Sequence, residues 1–229
     1  MADGSDSSSE PTEQRLTPLQ GFLRNATRVV IFLVVVGLII FIWEDGLEDR
    51  VTAKNIGLVE PGIYRSGQIS PHMIGPTLQQ LGIDTIISLS YDNPERWENM
   101  AEYRTAKTMG VERFHVRLSG DGTGAPREYV QALAYLHDAR QDDKTVLVHC
   151  WAGSERTSGF VALYRTLFHD GDPEAVVREM ARYKHEADAD SPLIKYLNEN
   201  IGEIAEGLVA RGLLAEAPSP LPQFKPLWD

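Results

Sequence analysis

The stretch VLVHCWAGSERTSGF, Val146–Phe160, holds the only cysteine of a 229-residue chain. A lone cysteine has no intramolecular disulfide partner, so it is either a small buried hydrophobe or a working thiolate. Its neighbours decide between the two. KTVLVHC, ending at Cys150, is a continuous apolar run, the pattern of a strand in the middle of a sheet covered on both faces. A helix is predicted from about Arg156. Between strand and helix lies a loop whose backbone N–H groups converge in front of a helix N-terminus, an arrangement that binds dianions such as phosphate. The same field favours a thiolate, which makes Cys150, at the base of the cradle, a nucleophile. Arg156, six residues on, can curl back to hold two oxygens of a phosphoryl group. Thr157 beside it can hydrogen-bond the thiolate, and Gly153 permits the tight turn.

Outward from this loop, strand-like and helical segments alternate. TIISLS, Thr85–Ser90, is a short β-branched run after a glycine turn. Asn93–Gly110 reads as a helix, with Asn93 as N-cap, Pro94 in the first helical position and Gly110 at its end. VERFHVRL, Val111–Leu118, alternates as a half-buried strand does. The helix PREYVQALAYLHDAR, Pro126–Arg140, puts Tyr129, Val130, Leu133 and Leu136 on one face. After the cysteine loop come helices from about Arg156, Pro173 and Pro192. The last two are announced by Asp172-Pro173 and Ser191-Pro192, an N-cap followed by proline. The final helix carries a stripe of Leu193, Leu197, Ile201, Ile204 and Leu208. Such alternation predicts an α/β fold, a three-layer sandwich over 57–212 with a central, mostly parallel sheet flanked by helices. A Pro-rich extended tail, 213–229, follows.

The N-terminal part is of another kind. Residues 1–25 begin Ser-, Asp- and Glu-rich and read as a disordered tail. Val29–Trp43 is fifteen residues without a charge or hydroxyl. A spanning helix wants about 20 apolar residues, and Ala26 and Thr27 lengthen the run. No polar face is left for a partly exposed core helix, and FIWEDGLEDR offers no small-x-small cleavage site for a signal peptide. The reading is a single-pass transmembrane helix over 26–43 and a linker over 44–56. Arg15, Arg24 and Arg28 precede the span, which by the positive-inside rule leaves the main domain outside the cytoplasm.

A formal net charge of -11 argues against nucleic acid as a partner. One cysteine and six histidines without close ligand spacing argue against a metal.

His-Cys-x5-Arg-Thr on a strand–loop–helix resembles the signature of the cysteine-based protein tyrosine phosphatase superfamily. The resemblance extends over about 57–186, to its bacterial and atypical dual-specificity members. YRSGQIS (Tyr64–Ser70) looks like their opening strand and turn, LGIDTIISLS like their second strand, and HCWAGSERTSGFVALYR like their signature loop and following helix. The resemblance implies a phosphatase working through a phosphocysteine intermediate without metal or organic cofactor. Its catalytic residues would be Cys150, Arg156, Thr157 and a general acid. Asp121, in RLSGDGTGAP, is the candidate acid, with glycines at 120, 122 and 124 to let its loop move. Glu155 is the alternative acid. His149 would orient the loop, and Arg65 is read as half of a structural ion pair. Substrate would be held by Trp151, Ala152, Gly153, Ser154, Glu155 and Arg156. None of the five residues between Cys150 and Arg156 is basic, which disfavours a polyphosphate. The expected substrate is a phosphorylated protein or a small phosphomonoester. Ser158 stands where relatives often have glycine. The rival reading is a membrane-held module that binds phosphate groups without turnover.

Overall fold

The computed structural model describes residues 18–42 and 53–228, with side chains described over 25–38 in the first segment. That segment is one helix, α1 (Pro18–Ile42). Its side chains from Val29 to Val35, and Leu38, are exposed apolar groups. Among the described residues no helix is long and apolar enough to cross a membrane. The spanning helix expected over 26–43 is therefore not shown, and the side chains of its end, 39–43, lie outside the described residues.

The rest is an α/β domain. Five strands, β1 (Gly57–Glu60), β2 (Ile63–Ser66), β3 (Thr85–Ser88), β4 (Glu112–His115) and β5 (Val146–His149), pair in the order β1-β2-β5-β3-β4. Only the β1–β2 hairpin is antiparallel, so the sheet is mixed and mostly parallel, as expected. β5 lies between β2 and β3, with Ser66 and Ser88 both opposite His149. The apolar run before Cys150 thus becomes the central strand. Side chains of a strand alternate across the sheet. Val146, Val148 and Cys150 enter the larger core, while Leu147 joins the smaller one on the opposite face.

Helices α2 (Ile74–Leu81) and α3 (Trp97–Met109) contribute to the smaller core through Ile74, Leu78 and Ala106. The larger core takes α4 (Pro126–Gln141), α5 (Glu155–Phe168), α6 (Pro173–Arg182) and α7 (Pro192–Ala210). The expected stripe of α7, Leu193 to Leu208, is buried throughout. Asp172 caps α6 by accepting from the N–H groups of Glu174 and Ala175, and Ser191 caps α7 by accepting from that of Ile194.

Helix α3 starts later than Asn93. The Asn93 side chain accepts from the Glu95 N–H at 2.9 Å, closing a local turn, and the helix opens at Trp97 with Arg96 as its N-cap residue. Asn favours such turns as readily as caps, so an Asn-Pro pair does not fix which one forms.

The Pro-rich stretch 213–228 packs on the domain. Phe224 is 2% exposed within the larger core. Its backbone pairs reciprocally with the Asn198 side chain of α7, with the Asn198 amide donating to the Phe224 carbonyl and the Phe224 N–H to Asn198 Oδ1, both at 2.8 Å. Further on, the Leu227 N–H donates to the Ala187 carbonyl at 2.8 Å. Phe224→Ala should lower unfolding free energy by about 3–5 kcal/mol, the cost of emptying a buried phenyl site. Chemical denaturation measures it, and a loss below about 1 kcal/mol would mean that the strap is not part of the core.

Candidate active site

Cys150 directly follows the central strand at its carboxyl edge, where ligands of open α/β sheets bind. Its side chain is 1% exposed, and the Gly153 N–H points at its Sγ from 3.2 Å. The path of the loop explains that direction. The Trp151 carbonyl accepts from the Gln68 N–H at 3.0 Å, the Ala152 carbonyl from Asn55 Nδ2 at 2.8 Å, and the Gly153 carbonyl from Arg65 Nη2 at 2.9 Å. His149 Nδ1 lies 3.3 Å from the Cys150 carbonyl. Successive carbonyls are held outward, so the loop N–H groups are free to face a central anion. Gly153 adopts φ +79°, and a Cβ there would come within 2.5 Å of the Gly67 backbone nitrogen. Only glycine fits that turn.

Arg156 lies one residue into α5. Its Nη1 donates to Ser90 Oγ at 3.0 Å, which holds the guanidinium at the end of β3. Its Nε is buried and has no hydrogen-bond partner among the described residues. A buried donor left open is costly unless a ligand fills it, and an oxyanion suits a guanidinium. Thr157 is fully buried, and its hydroxyl donates to the Ser66 carbonyl at 3.5 Å.

Asp121 is exposed in the turn between β4 and α4. Its Oδ1 accepts from the Thr123 N–H at 3.0 Å and the Thr123 hydroxyl at 2.8 Å. The next residue, Gly122, packs against Leu193 and the Glu155 backbone, and its carbonyl accepts from the buried Tyr129 hydroxyl at 2.6 Å. Burial pushes the Tyr129 phenol well above its ordinary value of 10.0, and Tyr196, Cys150, Asp121 and Glu155 push it further.

Glu155 is engaged elsewhere: its Oε2 lies 2.7 Å from Nδ1 of the buried His185. Trp151 is not core. It is 36% exposed, carries the Arg96 guanidinium 4.0 Å above its ring, and borders a cleft of about 570 Å³ together with Trp97, His72 and Lys54. Among the described residues no group of His, Cys, Asp and Glu is arranged to hold a metal.

Two supports of this loop were misread or missed in the sequence. Arg65, expected in an ion pair, has no carboxylate at ion-pair distance among the described residues; it stacks 3.7 Å over the Tyr183 ring and donates to Ser158 Oγ at 2.8 Å. Burial lowers its pKa to about 10. Ser158, in place of a glycine, thus supplies an acceptor for a buried cation. Glu102 of α3 was not anticipated. It is 2% exposed, with Arg113 Nε at 2.7 Å from Oε1, and with Gln68 Nε2 at 2.8 Å and His149 Nε2 at 3.1 Å from Oε2. Glu98 and Glu102 lie four residues apart on one face of α3, and nothing local in the sequence tells which of the two is buried.

The profile of the Tyrosine phosphatase family matches residues 50–207, most of this chain and all of the loop just described. The chain belongs to that family. Dual specificity protein phosphatase TpbA of Pseudomonas aeruginosa is 28% identical over 140 residues, 61% of this chain and 58% of the relative. The chain thus spans less than two thirds of that curated relative. Among solved structures, the core catalytic domain of the PP-IP phosphatase SIW14 from S. cerevisiae superposes with TM-score 0.58 at 19% identity, covering 72% of this chain and 96% of that one. TpbA superposes with TM-score 0.54 at 22% identity over 69% and 91%. At such identities these superpositions establish the shared fold.

Within this tyrosine phosphatase family member, Glu102 gives the domain a pH signature. Burial alone would raise its carboxyl, but His149 and then Arg113 reverse that and hold it well below its ordinary 4.5. A carboxyl with a depressed folded-state pKa adds stability that is present above its unfolded value and lost as pH falls towards the folded one. Stability should therefore fall as pH drops below about 4.5, and Glu102→Gln should flatten that fall. At neutral pH the variant should lose about 3–5 kcal/mol, because Arg113 and His149 lose their charged partner. Denaturation curves across the pH range test both; an unchanged acid slope would remove Glu102 from the account.

Proposed function

We propose that the chain is a phosphomonoester hydrolase of the tyrosine or dual-specificity type, acting through a phosphocysteine intermediate. The observation that carries this reading is the outward pinning of the Trp151, Ala152 and Gly153 carbonyls around a buried Cys150 with the Gly153 N–H on its sulfur. In the reading, the loop amides and the open side of Arg156 hold the equatorial oxygens of the phosphoryl group. Cys150 Sγ attacks phosphorus, the ester P–O bond breaks, and Asp121 gives its proton to the departing oxygen. Water then attacks phosphorus, Asp121 takes its proton, and the S–P bond breaks to release phosphate and the thiolate. The Thr157 hydroxyl, held by only a 3.5 Å bond, turns to the departing sulfur.

Asp121 is preferred to Glu155 as the acid. Its Oδ2 makes no hydrogen bond among the described residues and its loop is exposed, whereas Glu155 is bound to His185. The substrate is a single phosphomonoester on a protein or small molecule, with Trp151 as one wall beside the open cleft. Residues 26–43 serve as a membrane anchor with the catalytic domain outside the cytoplasm, a part of the proposal that rests on the sequence pattern and on the exposed apolar side chains of α1. Retention of the full chain in membranes after alkaline carbonate is the expected outcome, and release into the supernatant would end the anchor reading.

The full-length chain should hydrolyse p-nitrophenyl phosphate with chelator present, and Cys150→Ser should abolish turnover. Asp121→Ala should slow alkyl phosphates by roughly 10²–10⁴-fold and p-nitrophenyl phosphate far less, since a good leaving group needs little protonation. Phosphate binding without turnover in the wild type would make the chain a recognition module instead. If Asp121→Ala were silent on an alkyl phosphate while Glu155→Ala was not, the acid would be Glu155.

A further inference from the structure

Glu155 poses an electrostatic problem for any loop that receives a phosphate dianion. It is the residue immediately before Arg156 and the first of α5. A carboxylate free at that position would face the incoming dianion with charge of the same sign. In the structure it is not free. Its Oε2 is 2.7 Å from His185 Nδ1, and the side chain of His185 is 1% exposed against 27% for Glu155. On the far side of the ring, His185 Nε2 lies 3.3 Å from Ser191 Oγ, the N-cap hydroxyl of α7. With the Ser191 hydroxyl donating to Nε2, the Nδ1 proton is directed at Glu155. The backbone on both sides is fixed as well: the His185 N–H donates to the Met180 carbonyl at 3.2 Å, and the Ala187 carbonyl accepts from Leu227 of the C-terminal strap at 2.8 Å.

We propose that His185 is a positioning residue that holds the Glu155 carboxylate aside, so that an acidic loop can accept a phosphate dianion. The inference rests on the phosphate-binding reading of the Cys150 loop but not on turnover. Ser191 sets the ring, the ring holds the carboxylate, and the neighbouring Arg156 keeps its open Nε for ligand. An acidic residue in the loop is tolerated because a partner thirty positions away, reached through α5 and α6, holds its carboxylate in place.

The test is the affinity of the full chain for inorganic phosphate, read by titration calorimetry beside thermal melts. His185→Asn should weaken phosphate binding roughly tenfold, the scale of one charge released near a dianion under water-like screening. Glu155→Gln should bind at least as well as wild type, and the double variant His185→Asn with Glu155→Gln should recover wild-type affinity. A merely structural histidine predicts no such recovery, since removing the carboxylate does not refill its site. Wild-type affinity in a folded His185→Asn, or a double variant as weak as the single, overturns the proposal while leaving the phosphatase reading intact. If His185→Asn does not fold, Glu155→Asp, one methylene short of the ring, should show the same weakening, and unchanged affinity there overturns it. A wild-type chain that binds no phosphate overturns both readings together.

Discussion

The outward anchoring of the carbonyls of residues 151–153 is the constraint on which the site depends. A peptide unit has its N–H and C=O on opposite sides, so fixing the carbonyl fixes where the N–H aims. Here the donors are the Gln68 backbone, the Asn55 amide and the Arg65 guanidinium, all on or beside the β2 segment. They reach the loop because β2 runs parallel to β5 with Ser66 opposite His149. The sheet register is thus what shapes the short Gly-containing loop that is proposed to cradle an anion. A slip of one residue would face the donors the other way.

That arrangement uses buried charge in two places, and each is managed differently. Among the described residues Arg65 has no carboxylate partner; an aromatic face, a carbonyl and a hydroxyl take up part of its donor capacity. Glu102 is met directly by Arg113, Gln68 and His149, and so ties β4, β2 and the strand before the cysteine into one cluster. Both cost desolvation. What they fix is the floor and the side of the same loop, which is where a preorganised anion site needs rigidity. The overall negative charge of the chain makes this local order more consequential, because nothing in the global field draws a dianion in.

The C-terminal stretch extends the same logic. Phe224 buries itself while Asn198 satisfies its backbone on both sides, so a residue outside helix and strand is buried with its own N–H and carbonyl paired. Its Leu227 bond to Ala187 reaches the turn that carries His185. A Pro-rich composition reads as an extended tail because proline forbids regular ladders. It does not forbid packing.

What the sequence by itself determined is what lies within one continuous piece of chain. Strand, cysteine loop and helix are contiguous, so the strand–loop–helix that carries Cys150 and Arg156 and the central position of β5 were legible from spacing and hydrophobic pattern, as were the Asp172 and Ser191 caps and the buried face of α7. The start of α3 was not, since Asn-Pro serves a turn as well as a cap. What only the tertiary structure decided are the partners brought from far along the chain: Asn55 and Arg65 on the loop carbonyls, Ser158 on Arg65, Glu102 beneath His149, and His185 on Glu155. Their side chains are common surface types with no periodicity of their own. Which of them becomes buried and paired is set by strand register and helix packing, and those are properties of the whole fold.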